Sequence, residues 1–116
     1  MSWDVNLEYK GMLPGGHCPT CTTNPYIDCG NYTWNVSPMF VLAFKNKKGL
    51  DIINNEPAFV AADMLGAAIN RMIESRETYE KLNPENGWGS YDGAVMFLQK
   101  IREKCVEHPN LTVNLH

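Results

Sequence analysis

The sequence predicts an α+β fold, a small antiparallel sheet of about three strands with about three helices packed on one face. Three observations predict it. Apolar and polar residues alternate near both ends of the chain and once in between, the period of half-buried strands. Two long internal stretches repeat apolar residues at helical spacing. With 116 residues, the chain has the size of one domain, residues 1–116, around a single core.

The first strand spans residues 2 to 9, with Trp3, Val5, Leu7 and Tyr9 on one side and Asp4, Asn6 and Glu8 on the other. Residues 11–30 hold three prolines, four glycines and three cysteines, which fits a loop that needs its own staple. Alternation resumes from Asn31 to Val36: Asn31, Thr33 and Asn35 share one face, while Tyr32, Trp34 and Val36 share the other. This is the second strand.

Ser37 before Pro38 reads as an N-cap with proline at the first helical position, and Lys47-Lys48-Gly49 supplies cationic closure with a C′ glycine. A short, mostly buried helix is therefore expected over 38–48. A second begins near Pro57, its stripe being Leu65, Ile69, Met72 and Ile73 with Ala61 and Ala68, and it continues after a break from Glu77 to Leu82. Residues 83–89 form a turn cluster. Ser90 is the N-cap of a third helix that ends before His108-Pro109 and buries Ala94, Leu98, Ile101 and Cys105, with Phe97 beside them. Leu111, Val113 and Leu115 then alternate with polar residues in a last strand.

Net charge is -3 and charged residues are 20%, so the chain lacks the basic excess that neutralising phosphates requires, and nucleic acid is not expected as a partner. The longest apolar run, Met39 to Phe44, is far short of the ~20 residues of a membrane span, and Met1-Ser2-Trp3-Asp4 opens no signal peptide. A soluble protein that neither enters a membrane nor is exported is expected. Asparagine is the compositional skew, with twelve residues, five of which (Asn6, Asn31, Asn35, Asn110 and Asn114) fall on the polar faces of expected strands. Asparagine is depleted in strands, so its recurrence there suggests amides that bond something specific. Depending on strand order, Asn31, Thr33 and Asn35 stand beside Asp4, Asn6 and Glu8 or beside Thr112, Asn114 and His116.

Cys18-Pro19-Thr20-Cys21 is a compact zinc half-site, because two thiolates on a tight turn can face one tetrahedral ion. With Cys29, and with His17 or a residue from elsewhere such as Cys105 or His116 as the fourth ligand, it could hold a structural zinc; reduced free thiols in a loop are the other reading, and redox catalysis lacks its βαβ context. Residues 86–93, Asn86-Gly87-Trp88-Gly89-Ser90-Tyr91-Asp92-Gly93, place flexible glycines before a helix N-terminus, where backbone N–H groups can meet an anion and Trp88 and Tyr91 can stack on a base. The spacing matches neither a Walker loop nor the dinucleotide fingerprint, and a plain capping turn explains it as well. No nucleophile with a neighbouring base, and no acid/base pair, is legible.

The segments Asn31-Tyr32-Thr33-Trp34-Asn35-Val36-Ser37-Pro38-Met39 and Asn83-Pro84-Glu85-Asn86-Gly87-Trp88-Gly89-Ser90-Tyr91 together resemble a group of small proteins of tailed bacteriophages and prophages. Those proteins share N-x-T-x-N-x-x-x-M and N-P-E-N-G-W-G-x-Y motifs and a terminal amphipathic helix and strand. The resemblance implies a phage setting in the host cytoplasm and draws attention to Asn31, Thr33, Asn35, Met39, Trp88 and Tyr91. It carries no activity. The resulting expectation is a non-enzymatic phage accessory protein that binds a small polar ligand through Asn31, Thr33, Asn35, Met39, Asn86, Trp88, Ser90 and Tyr91. A nucleotide-derived host immune signal, sequestered in counter-defence, is the sharpest form of this expectation. The alternative is a zinc-stapled module contacting a host or phage protein. A homodimer would suit a polar face that one chain cannot enclose.

Overall fold

The computed structural model describes residues 2–8, 26–84, 87 and 89–115. It has the expected α+β architecture. Strands β1 (Ser2–Glu8), β2 (Tyr26–Thr33) and β3 (Thr112–Leu115) form one sheet, and helices α1 (Ser37–Phe44), α2 (Ala58–Glu74), α3 (Arg76–Glu80) and α4 (Tyr91–Glu107) complete the fold.

The strand order is β2-β1-β3, with both pairs antiparallel. β1 is central, so β2 and β3 each pair with it and not with each other: Asn31 lies opposite Asp4, the first of the two arrangements open to the sequence, while Asn114 lies opposite Asn6 on the far side of β1. The other face of β1 carries Trp3, Val5 and Leu7, all buried with Phe40, Leu65, Leu98, Ile101 and Val113 in one core. Period-two alternation decides which face receives the helices. The outer edge of β3 is sealed by the segment ahead of α2, where the Val113 N–H donates to the Glu56 carbonyl (2.9 Å) and the Asn55 N–H to the Val113 carbonyl (2.8 Å).

The first departure from the sequence reading is at β2. It begins at Tyr26, inside the stretch expected as loop, and ends at Thr33 rather than Val36. Between Val5 and Asn6 the register slips: Val5 faces Gly30 and Asn6 faces Asp28, leaving Cys29 as the extra residue of a β-bulge. Trp34–Val36 is a 3₁₀ turn that Thr33 caps, so Trp34 leaves the face of Tyr32 and is 42% exposed.

α1 ends earlier than its cationic tail suggested. Lys45 takes the left-handed conformation (φ 52°), its N–H reaching the Leu42 carbonyl and the Asn46 N–H the Val41 carbonyl, a Schellman closure with lysine where glycine is usual. Gly49 instead opens a second 3₁₀ segment, Gly49–Ile53, whose Leu50 and Ile53 enter the core. Ser37 is helical and caps nothing, because the 3₁₀ turn runs directly into α1.

α2 buries Ala61, Leu65, Ala68, Ile69 and Met72 as expected, but Ile73 is more than half exposed, since a residue following Met72 is rotated ~100° away from the core. The expected break falls at Ser75. α4 follows its sequence signals closely: the Ser90 hydroxyl accepts from the Gly93 N–H (3.1 Å), and Ala94, Phe97, Leu98, Ile101 and Cys105 are buried.

Candidate functional site

The bulge in β2 shapes a cleft between that strand and α4. Gly30 sits at φ 100°, a conformation that L side chains rarely adopt, and its N–H donates to the Asp28 carboxylate at 2.8 Å. This geometry turns Cys29 into the core and leaves Asp28 and Asn31 exposed. Because Gly30 has no side chain, Lys100 of α4 lies over it, with Nζ 3.1 Å from where a Cβ would stand.

The cleft has a volume of about 590 Å³, within the ordinary range for small-molecule sites. Asp4, Asp28 and Asn31 supply its polar wall, Tyr32, Met96 and Phe97 its apolar wall, and Lys100 one cation. The Tyr32 and Phe97 rings pack 5.5 Å apart, and the Tyr32 hydroxyl accepts the Ser90 N–H at 3.0 Å, which fixes the apolar wall to the start of α4. Met96 is 67% exposed, an apolar side chain open to a ligand.

Of the residues singled out from sequence, Asn31 lines this cleft. Thr33 and Asn35 satisfy each other, the Thr33 hydroxyl accepting from both the Asn35 N–H (3.3 Å) and its side-chain amide (2.9 Å). Met39 is fully buried. Tyr91 is buried too, donating its hydroxyl to the Met72 carbonyl (2.9 Å), while its N–H meets the Asn83 side chain (2.8 Å). Ser90 is spent on its cap. Asn86 and Trp88 lie outside the described residues. Met39 and Tyr91 therefore serve packing, with no surface to present to a ligand.

The two sequence motifs do meet, as a structural lock. A Cβ on Gly89 would stand 2.7 Å from Thr33 Cγ2 and 2.9 Å from Val36 Cγ1, and one on Gly93 would overlap the Tyr32 hydroxyl. Glycine is required at these two positions by the 3₁₀ turn and Tyr32, which accounts for a pattern that also resembles an anion loop.

Among the zinc candidates, His17, Cys18, Cys21 and His116 lie outside the described residues. Cys29 is a free, fully buried thiol, as is Cys105. Burial, reinforced by Asp28, raises the Cys29 pKa to about 11, and burial raises that of Cys105 to about 12, so both are held as neutral thiols. Among the described residues no group of three or more His, Cys, Asp or Glu side chains could hold a metal. No helix among them is long and apolar enough to cross a membrane.

Sequence reasoning placed Asp4 on the polar strand face without assigning it to the ligand, and it missed Asp28, Met96 and Lys100 as site residues. The available signal was Asp28-Cys29-Gly30, a strand interrupted by glycine, which marks a bulge and a close approach. Comparison of the chain with protein-family models, with curated proteins and with solved structures finds no match.

Proposed function

We propose that the chain is a non-enzymatic binding protein whose cleft between β2 and α4 takes a small polar ligand of the nucleoside or nucleoside monophosphate class. The observation that carries this reading is the composition of the cleft. Two carboxylates and an amide stand opposite an exposed apolar wall, with one lysine at the boundary. Asp4 and Asp28 accept hydrogen bonds from ribose hydroxyls or exocyclic amines, Asn31 offers both a donor and an acceptor to a base edge, and Met96 gives the base an apolar contact. Lys100 pairs with one phosphate. A triphosphate would set several negative charges against Asp4 and Asp28 with one cation to offset them.

Cys29, whose thiol is held neutral and buried, offers this cleft no thiolate nucleophile. The resemblance to phage proteins supplies only a setting, the host cytoplasm; sequestration of a nucleotide-derived host signal there is the sharpest form of this proposal. Isothermal calorimetry against nucleosides, their mono- and triphosphates, and cyclic mono- and dinucleotides tests the proposal. Monophosphates and nucleosides are expected to bind and triphosphates to bind more weakly. Asn31→Ala is expected to weaken every ligand, and Lys100→Ala only the phosphorylated ones. Absence of binding across the panel, or affinities unchanged in both variants, would refute this site.

A further inference from the structure

A second surface, separate from the cleft, lies on α1. Every residue of this helix after Ser37 is apolar, yet only one side is covered: Met39, Phe40, Ala43 and Phe44 are buried, while Val41 and Leu42 are 37% and 43% exposed. A helix that is apolar all round is normally enclosed on all sides. Pro38, Val41 and Leu42 form one wall of a groove of about 500 Å³, and Leu82, just beyond α3, forms the other.

The rim of this groove is cationic. Residues 34–50 contain three lysines, Lys45, Lys47 and Lys48, and no carboxylate, in a chain whose net charge is -3. All three are exposed, and none forms an ion pair with another described residue. Apolar floor and unpaired cationic rim together specify the complementary partner.

We infer that this groove docks an acidic amphipathic segment of a partner protein, an apolar side chain entering between Leu42 and Leu82 while flanking carboxylates meet Lys45 and Lys47, which line the groove, and Lys48 beside them in the chain. Such a segment matches the groove in both hydrophobicity and charge, in the manner of helix-in-groove recognition. Walls from two elements, α1 and the segment carrying Leu82, give this surface two sides between which a protruding side chain of a protein segment can sit.

The probe is a short fluorescein-labelled helical peptide with leucines on one face flanked by glutamates, compared by anisotropy with the same peptide carrying lysines for glutamates. The glutamate peptide is expected to bind the full chain, more weakly at high salt, and the lysine peptide not to bind. Leu42→Ser and the pair Lys47→Glu with Lys48→Glu, all at exposed positions, are each expected to weaken binding roughly tenfold, with circular dichroism confirming the fold. Equal binding of the two peptides, or none, overturns the proposal. So does Leu42-dependent binding to vesicles of phosphatidylserine and phosphatidylcholine, which assigns the face to a membrane, or Leu42-dependent dimerisation in sedimentation velocity, which assigns it to a second copy.

Discussion

Replacing Gly93 with alanine should destabilise the protein, although the general rule for a helical glycine points the other way. Gly93 lies in the first turn of α4, where alanine would ordinarily be favoured by up to about 1 kcal/mol. Here the added methyl would overlap the Tyr32 hydroxyl and come within 2.9 Å of Tyr32 Cζ. Tyr32 cannot simply withdraw, because its ring packs on Phe97 and its hydroxyl accepts the Ser90 N–H. Overpacking costs roughly 1–3 kcal/mol, and losing the hydrogen bond adds about 1 kcal/mol. Against the gain in helix propensity, the net loss is about 2 kcal/mol, or a fall in Tm of about 8 °C for a domain of this size. Urea denaturation followed by circular dichroism measures it. In a Tyr32→Phe background the obstructing hydroxyl is gone, so the same alanine should cost at least about 1 kcal/mol less, a coupling that a double-mutant cycle reads directly. A Gly93→Ala protein as stable as the parent, or costs that simply add, would refute the lock between Tyr32 and α4.

Ser90→Ala removes the side-chain cap on the Gly93 N–H and should cost about 1 kcal/mol in urea melts, with Ser90→Asp recovering most of it. Tyr91→Phe strips the hydrogen bond from the Met72 carbonyl, one of the last four of α2, and should cost about 1 kcal/mol, seen as a lower urea midpoint at unchanged slope. Cys29 and Cys105 have folded-state pKa values of about 11 and about 12, above the ordinary thiol value of 9.0, so both bind protons more tightly when folded. Their stabilising contribution is complete below pH ~9 and is lost as pH rises toward the folded values, at about 1.4 kcal/mol per pH unit for each thiol. Equilibrium urea melts between pH 8 and 11 should show that decline, and a Cys29→Ser, Cys105→Ser protein should show a shallower one. With Cys18 and Cys21 replaced by serine, native protein should react slowly with Ellman's reagent and release two equivalents only in denaturant; fast native labelling would contradict the burial of both sulfurs.

How legible the fold was depended on whether a segment's local signals agreed with its surroundings. α4 was readable almost residue by residue, because Ser90, the apolar stripe and His108-Pro109 are local and mutually consistent. α1 was readable in kind but not in extent: Gly49 looked like the stop, yet the closure formed at Lys45, where two backbone hydrogen bonds outweigh the cost of a left-handed lysine. β2 was the hardest. Its first half reads as loop because Asp28 and Gly30 are poor strand formers, and only the pairing with β1 makes a strand of them. The same non-local pairing explains what sequence showed of the candidate site. Asn31 was visible through its place in an alternating run, whereas Asp28 and Lys100 become neighbours only after the bulge forms and α4 packs across Gly30. The asparagine excess drew attention to the face that carries Asn31, but Asn35 lies past the end of β2, in the 3₁₀ turn, where its backbone and side-chain amides both bond the Thr33 hydroxyl. A pattern that places side chains on one face thus does not distinguish residues that bind a ligand from residues that bind one another. That distinction depends on where β2 stops, and β2 stops where Thr33 begins to cap.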